Sequence, residues 1–312
     1  MRLSTWRAPL ALGGTALVAS TLSVAGLAAP AAARPVLDRQ CVTTDTHVGG
    51  SARGGFGERD HRAVSAQEQR TIRRQTARAL RLKGVSPKVA AGATATVPVY
   101  VHVMRDANGT GDVTDKQITQ QIAVLNKTFA GGESSTAADT GFSFSLAGTF
   151  RYNNNQWHQD KSSTTYRKAT RKGGADALNI WLVDFKYLGI ATFPWDYQKS
   201  PGIDGIRVHY ASLPGGDIAN YDQGETATHE AGHWFGLYHT FQGGCTDTND
   251  EVADTPAQAG PTSGCPEGQD TCPAPGSDPI HNYMDYGYDS CYTEFSAGQS
   301  ARAGQMWTAY RG

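Results

Sequence analysis

The sequence predicts an α+β fold built on a mixed, mostly parallel twisted sheet. Segments with strand-like patterns are interleaved with amphipathic helices from about residue 97 onward. A histidine-rich helix follows the last predicted strand. Residues 243–279 are rich in Gly, Pro, Asp, Thr and Ser without hydrophobic periodicity, which indicates long loops. A chain of 312 residues is therefore long enough for one sizeable domain that ends in a loop-rich part.

The N-terminus has the features of a secretory signal peptide. Arg2 and Arg7 precede a weakly apolar run, and the small-residue stretch APAAAR follows it. Because Ala31 and Ala33 form an A-x-A cleavage site, we expect residues 1–33 to be removed and the protein to be secreted. A membrane anchor is the alternative, but the run is rich in Ala, Gly, Ser and Thr rather than Leu and Ile. No later segment is apolar enough to span a bilayer, so we expect no stable membrane association.

A basic leader separates the signal peptide from the rest of the chain. Residues 34–95 carry 12 Lys and Arg against 5 Asp and Glu, whereas residues 96–312 carry 14 against 24. These opposite charges suggest that the leader docks on the acidic part as a pro-segment. Ser65 and Glu68 have the spacing of a capping box, which predicts a helix over residues 66–83. A disordered basic tail is the alternative.

The acidic part, residues 96–312, contains the predicted sheet. Thr114 and Gln117 cap a predicted helix that has an apolar face. A second helix near residues 297–310 closes the chain. Five segments have strand composition or alternation: VPVYVHVM at 97–104, GFSFSLAGTF at 141–150, LNIWLVDF at 178–185, GIATFPW at 189–195 and GIRVHY at 205–210.

The stretch THEAGHWFGLYHTF, residues 228–241, predicts a metal site. On a helix, His229 and His233 are four residues apart and share one face, so both imidazoles can bind one Zn²⁺. Gly236 permits a positive φ that ends the helix, and His239 can then reach back as a third ligand. Three neutral imidazoles leave one open position for water, which is typical of a catalytic zinc site.

Glu230 separates the catalytic interpretation from a structural one. It is too close in sequence to the first histidine to be a natural third ligand, and it is well placed to accept a proton from water at the metal. A structural zinc site has no need of a carboxylate there. A catalytically inactive binding module would need a broken motif, and every position is intact. A zinc hydrolase that acts on a non-peptide bond remains an alternative.

These motifs resemble those of a known group of enzymes. The pattern H-E-x-x-H-x-x-G-x-x-H is similar to the metzincin signature, and NYMDY at 282–286 resembles the Met-turn. HEAGHWFGLYHTF, with a preceding ETAT and a following Cys, resembles the pappalysin (cytophagalysin) family of secreted metalloproteases. LNIWLVDF, GIATFPW and VADTP at 252–256 extend this resemblance, which covers about residues 96–312.

The resemblance implies an activity and a set of partners. The protein would be a secreted zinc endopeptidase, made as a zymogen, with a metzincin-like catalytic domain over residues 96–312. Water activated by zinc would attack the peptide bond directly, without an acyl-enzyme. The expected partners are protein or peptide substrates and the protein's own pro-segment, and no nucleic acid is expected.

The resemblance also implies roles for individual residues. Glu230 would be the general base and would then protonate the leaving amine. Met284 would lie beneath the zinc as an apolar floor, and Tyr286 would either donate a hydrogen bond to the developing oxyanion or be purely structural. The strand in GIATFPW would bind extended substrate by β-augmentation. The zinc ligands would be His229, His233 and His239.

Five cysteines raise the question of pairing, because export permits disulfides. The four late ones allow three pairings. The family resemblance favours Cys245 with Cys272 and Cys265 with Cys291, which would cross-link a region poor in apolar residues. Cys41 stands alone in the leader. Its thiolate could fill the open zinc position and keep the enzyme latent, and a free thiol or an intermolecular bridge are the alternatives.

The C-terminal part has an unusual excess of carboxylates. Residues 208–301 contain 14 Asp and Glu but no Lys or Arg. Bound Ca²⁺ would relieve the resulting repulsion, and Asp250, Asp254 and Thr255 are the candidate ligands. A solvated acidic loop is the alternative, because no EF-hand spacing is present.

One acidic residue suggests a substrate preference. In metzincins the segment after the Met-turn lines the pocket for the residue that follows the scissile bond, and here this segment is YGYDSCY at 286–292. Asp289 is its only acid. A carboxylate in such a pocket would favour Arg or Lys after the scissile bond. In the alternative, Asp289 faces solvent or binds calcium and the pocket is apolar.

Overall fold

A six-stranded sheet forms the centre of the structure, a computed structural model that describes residues 52–54 and 64–312. The strand order is β1-β5-β6-β4-β2-β3. The pairs β2–β3, β2–β4 and β4–β6 are parallel, and β5 is antiparallel to both β6 and β1. The predicted mixed, mostly parallel sheet is thus confirmed. The strands are β1 (Ala52–Gly54), β2 (Ala95–Arg105), β3 (Phe142–Asn153), β4 (Leu178–Val183), β5 (Tyr187–Ala191) and β6 (Ile206–His209).

The predicted strand GIATFPW is shorter at its C-terminal end than expected. The strand β5 begins at Tyr187 and ends at Ala191, and a short 3₁₀ turn follows at Pro194–Asp196. Proline has no N–H to donate to a sheet ladder, so the pairing does not continue through Pro194. The prediction of a strand up to Trp195 is therefore wrong.

Seven helices surround the sheet within the described residues. The predicted capping box of α3 is present, with reciprocal hydrogen bonds between Thr114 and Gln117. The short helices α2, α4 and α5 were not predicted. No helix of residues 64–312 is long and apolar enough to cross a membrane. The helices are α1 (Ala66–Leu82), α2 (Pro87–Ala91), α3 (Asp115–Phe129), α4 (Asn155–His158), α5 (Ser163–Thr170), α6 (Glu225–Trp234) and α7 (Ala297–Tyr310).

Alternation along β2 divides the interior into two layers. Val97, Val99, Val101 and Val103 point into the main core, which α3, α6 and α7 cover. On the opposite face Met104 joins a smaller cluster that includes Tyr166 of α5. All six residues of β4 are buried, as expected for a central strand covered on both faces. The sheet therefore provides a rigid support for α6.

The predicted leader helix packs on the catalytic part of the chain. The buried face of α1 includes Ile72 and Thr76, and the Thr76 hydroxyl lies 2.9 Å from the Tyr310 hydroxyl on α7. At the surface, Arg73 pairs with Glu251 at 3.2 Å. All described residues belong to one compact unit with no division at residue 95. The signal peptide and Cys41 lie outside the described residues.

Two disulfides cross-link the loop-rich region. Cys245 is bonded to Cys272 and Cys265 to Cys291, with Cα–Cα distances of 5.4 and 5.7 Å. This is the pairing that the family resemblance implies. The second bond joins the loop after α6 to the segment that follows the Met-turn, so two segments with little hydrophobic core are held together covalently.

Candidate metal centre and active site

The helix α6 is buried along its whole length beneath the sheet. It begins after Gly224, which has φ +94°. The carboxylate of Asp289 accepts hydrogen bonds from the backbone N–H groups of Gln223 and Glu225, at 3.0 and 3.4 Å. A carboxylate at the N-terminus of a helix also interacts favourably with the helix dipole. Asp289 therefore fixes the start of the helix that carries the metal motif.

Three imidazoles converge, two of them on α6 and the third beyond the turn that follows this helix. His233 Nε2 lies 3.1 Å from His229 Nε2 and 3.0 Å from His239 Nε2. All three side chains are buried. Within the described residues, no other group of three His, Cys, Asp or Glu side chains brings its ligand atoms this close together. The spacing prediction for these residues is thus realised in three dimensions.

The protonation states of the imidazoles fit a zinc ion. Nδ1 of His229 lies 2.6 Å from the Tyr283 carbonyl oxygen, and Nδ1 of His233 lies 2.8 Å from the Leu237 carbonyl oxygen. Carbonyls only accept, so each Nδ1 carries the proton and each Nε2 of the neutral ring presents a lone pair. Burial lowers the pKa of His233 to about 4, which keeps the ring neutral. Facing lone pairs repel unless a cation lies between them, so the donor set suits zinc.

The turn that returns His239 toward the helix is held from α7. Gly236 has φ +94°, as the sequence predicted. Arg302 donates from Nε to the Gly236 carbonyl at 2.9 Å, stacks over the Tyr238 ring at 4.3 Å and pairs with Glu251 at 3.1 Å. Arg302 was not singled out in the sequence, because a basic residue in a distant helix gives no signal of its contact.

The Met-turn lies directly beneath α6. Met284 is fully buried, and its backbone carbonyl accepts from Thr240 N at 3.2 Å. A Cβ at Gly232 would meet the Met284 sulfur at 2.4 Å. The glycine in HEAGH therefore allows the sulfur to pack against the helix.

Glu230 points toward the sheet, next to β5. A Cβ at Gly189 would lie 2.4 Å from Glu230 Cγ and 2.5 Å from Oε1. The bare backbone of Gly189 thus leaves the space that the carboxylate occupies. Gly189 was missed as a site residue, although a glycine inside a strand pattern is a signal for a close approach.

Tyr286 lies among the rings around the third ligand. Its ring centroid is 4.8 Å from that of His239 and 5.7 Å from that of His229. Phe241 stacks on His239 at 4.7 Å and meets Tyr286 edge-on at 5.0 Å. Tyr286 is therefore within the same aromatic group as the triad, and its role toward the oxyanion stays a prediction.

The structure does not bring the three candidate calcium ligands together. The Thr255 hydroxyl donates to Asp250 Oδ1 at 2.7 Å, so these two lie in contact. The carboxylate of Asp254 instead accepts from Ser296 Oγ at 2.7 Å and from Gly298 N at 2.8 Å, where it caps α7. The prediction of a joint site that includes Asp254 is wrong, because local capping directs its side chain elsewhere.

Asp289 does not face solvent. Only 2% of the residue is exposed, and its backbone N–H donates to the Asn220 carbonyl at 3.0 Å. It lies at the junction of α6 and the segment after the Met-turn, where the pocket for the residue after the scissile bond was expected. The solvent-facing alternative is therefore wrong.

Hydrolysis of a peptide bond by a metal needs an open coordination position, a nearby base and a strand that can align an extended chain. All three requirements are met in one place, by the helix α6, the turn at Gly236 and the strand β5. The protein is a metalloendopeptidase of the metzincin type. Comparison with known proteins gives its family: the profile of peptidase family M43, described as pregnancy-associated plasma protein-A, matches residues 185–307.

Relatives of similar length support this assignment. The chain is 44% identical to an extracellular metalloprotease of Verticillium alfalfae over 268 residues, which covers 82% of this chain and 90% of that protein. It is 46% identical over 233 residues to an extracellular metalloprotease of Colletotrichum graminicola, which covers 72% of this chain and 80% of that protein. The chain belongs to this family of extracellular metalloproteases.

Solved structures agree with the sequences. Mature mirolysin of Tannerella forsythia, in complex with a cleaved peptide, superposes with a TM-score of 0.62 at 30% identity, over 70% of this chain and 96% of mirolysin. A promirolysin mutant from the same organism superposes with a TM-score of 0.64 at 28% identity, over 78% of this chain and 90% of that chain. The fold of this chain is thus that of a metzincin-type protease.

Proposed function

We propose that the protein is a zinc-dependent endopeptidase that cleaves extracellular proteins and uses Glu230 as its general base. The observation that carries this proposal is the position of Glu230, buried between the histidine triad and β5. Bound zinc supplies Lewis acidity, which polarises the scissile carbonyl and lowers the pKa of water toward neutrality.

Residues of the chain perform the remaining catalytic steps and position the substrate. Glu230 accepts the proton of the attacking water and returns it to the leaving nitrogen. Tyr286 donates a hydrogen bond to the oxygen that becomes negative. Gly189 on β5 leaves room for the carboxylate, and the ladder groups of β5 align the substrate backbone.

A chelation experiment tests this function. The processed protein should degrade casein, lose that activity with 1,10-phenanthroline and regain it with added zinc. A zinc-loaded protein that hydrolyses simple esters but neither casein nor peptides would contradict the proposal and favour the non-peptide alternative.

We also propose that the leader makes the protein a zymogen. The strand β1 pairs antiparallel with β5, and Arg53 is paired with Gly189 in this register. Gly189 is the residue against which Glu230 packs. The leader thus occupies the strand edge that a substrate would use. The existence of a pro-form of mirolysin supports the same interpretation.

Cys41, which lies outside the described residues, is the proposed latency residue. A thiolate that fills the open coordination position would block catalysis until the leader is cleaved. An uncleaved Cys41→Ala variant should therefore cleave a short quenched peptide faster than the uncleaved wild type, although β1 still covers part of the substrate edge. Activity no higher than that of the uncleaved wild type would contradict a contribution of the thiol to latency.

Asp289 is proposed to select Arg or Lys after the scissile bond. Its carboxylate is buried at the start of α6, where that helix meets the segment after the Met-turn. A buried carboxylate near the reacting bond favours a cationic side chain, and Arg can pair bidentately with it.

Calcium binding remains a proposal with a smaller ligand set, Asp250 and Thr255. Asp250 Oδ2 is buried and accepts no hydrogen bond. Burial raises the pKa of Asp250 to about 7. A desolvated carboxylate oxygen of this kind is stabilised by a hard cation, which is the property that supports calcium here.

A further inference from the structure

A cavity of about 760 Å³ lies beside the N-terminal end of β5. Phe185 and Leu188 line it on the side of the strand, and Ile218 and Tyr221 line it from the loop that precedes α6. Tyr288, from the segment after the Met-turn, closes the third side. Neither the histidine triad nor Glu230 lines this cavity, so its role is not part of the catalytic machinery described above.

The direction of β1 places this cavity relative to a substrate. β1 runs antiparallel to β5, with Arg53 opposite Gly189 and Gly54 opposite Tyr187. A substrate that binds this edge in the same direction has its reacting bond near Gly189, because Glu230 packs there. Its residues after the scissile bond then extend toward Tyr187 and the cavity, at about 3.3 Å per residue.

The cavity lies next to Asp289, the residue proposed to select the first residue after the scissile bond, but Asp289 does not line it. Tyr288 lines the cavity, whereas the following residue, Asp289, does not. The Asp289 N–H donates to Asn220, which also lines the cavity. One extended substrate can therefore reach first Asp289 and then the cavity.

The lining is chemically suited to aromatic side chains. Tyr221 and Tyr288 form an edge-to-face pair with ring centroids 5.7 Å apart at 85°. Phe185 and Tyr187 form a second such pair at 5.7 Å and 79°. Edge-to-face contacts extend readily to a third ring. The charged lining residues, Lys186 and Asp217, have opposite signs and give no net preference for a charged substrate residue.

We propose that this cavity binds the second and third residues after the scissile bond and favours aromatic side chains there. The inference rests on the proposed endopeptidase function and adds a substrate class to it. Its volume is within the range of sites that enclose a small ligand, so more than one side chain fits.

Two peptides of identical sequence test the inference, one with Phe and one with Ala at both positions. Zinc-loaded processed wild type should cleave the Phe peptide with a kcat/KM about tenfold higher, because aromatic contacts are worth on the order of 1 kcal/mol each. Tyr221→Ser should remove most of this gain and leave kcat/KM for the Ala peptide within about twofold. Tyr152→Ser, on the distant strand β3, is the matched control and should retain the gain.

Equal cleavage of both peptides by wild type, or an equal loss on both peptides in Tyr221→Ser, would overturn the inference. Library profiling of the wild type gives a measurement that does not depend on the folding of any variant, and absence of aromatic enrichment at both positions would also overturn it. Failure of zinc-loaded wild type to cleave any peptide would instead overturn the endopeptidase function.

Discussion

Two glycines determine whether the catalytic side chains can occupy their positions. Gly232 admits the sulfur of Met284 beneath α6, and Gly189 admits the carboxylate of Glu230 beside β5. In each case a single methyl group would overlap an atom of the site at 2.4 Å. At the scale of single residues, the site therefore depends on two glycines that have no side chain as well as on the side chains that react.

Gly189→Ala should impair catalysis without removing the metal. The added Cβ displaces Glu230 from its place, while the three histidines keep theirs. We expect kcat to fall by roughly 10- to 100-fold, which corresponds to about 1.4–3 kcal/mol. Gly260→Ala is the control, because no heavy atom lies within 4 Å of the Cβ it adds. Normal kcat in Gly189→Ala, with zinc bound, would contradict the packing argument.

Asp289→Ala should change the cleavage profile. Removal of the buried carboxylate eliminates the attraction for Arg and Lys, so enrichment of these residues after the scissile bond should disappear on a peptide library. Because Asp289 also caps the start of α6, the variant should be less stable by about 1 kcal/mol. An unchanged profile, or a wild-type profile without basic enrichment, would refute this assignment.

The sequence predicted the metal ligands well because a helix fixes the relation of residues four apart. It predicted the φ of Gly236 for the same reason, since only local geometry is involved. The prediction of Asp254 as a calcium ligand was wrong because its side chain caps α7. This contact could not be inferred from the segment around Asp254 alone. Arg302 and the contact of Gly189 were missed because both depend on segments far apart in the chain.

At the scale of elements, periodicity and capping decide which parts are predictable. The helix α1 was predicted from its capping box, α3 from a capping box and an apolar face, and the central strands from their composition and alternation. In α7, Ser296 forms a capping box with Gln299. The short α4 and α5 lack a long apolar stripe, so their sequences gave no helix signal. The pairing of β1 with β5 could not be predicted, because its three residues, ARG, have no strand pattern.

The loop between Cys245 and Cys265, which carries Asp250 and Thr255, should be stabilised by calcium. EDTA-treated protein rebuilt with zinc and saturating Ca²⁺ should melt several degrees above protein rebuilt with zinc alone, since ligand at 100-fold its Kd adds about 2.7 kcal/mol. Asp250→Asn should abolish this difference, and Asp254→Asn should not, because Asp254 caps α7. Equal melting temperatures for wild type with and without calcium would exclude the site.

At the scale of the whole molecule, the sheet contains a buried histidine that links stability to pH. His102 on β2 is fully buried, with its ring stacked on Trp181 at 5.3 Å and on Phe150 at 5.5 Å. Its Nε2 lies 2.9 Å from Asn179 Oδ1. Burial lowers the pKa of His102 from 6.5 to about 4. The folded protein therefore excludes a proton that the unfolded chain binds.

Stability should fall as the pH decreases from about 6.5 to about 4. In this window unfolded His102 is protonated and folded His102 is not, so the unfolded state gains up to about 3 kcal/mol from this group. His102→Phe keeps a ring in the stack and should reduce the acid-induced loss in free energy of unfolding by about the same amount. Urea unfolding in the presence of a chelator measures this without zinc release. An identical pH dependence in the variant would show that His102 does not contribute.

The central claim is that one buried carboxylate performs the proton transfers beside a metal held by three histidines. The most direct measurement compares bound zinc and peptidase activity in processed wild type and Glu230→Gln, which differ by one charged oxygen. We expect about one zinc per chain in both proteins and a fall in kcat of at least 10²-fold in the variant. Peptidase activity at the wild-type level in zinc-loaded Glu230→Gln would contradict the account.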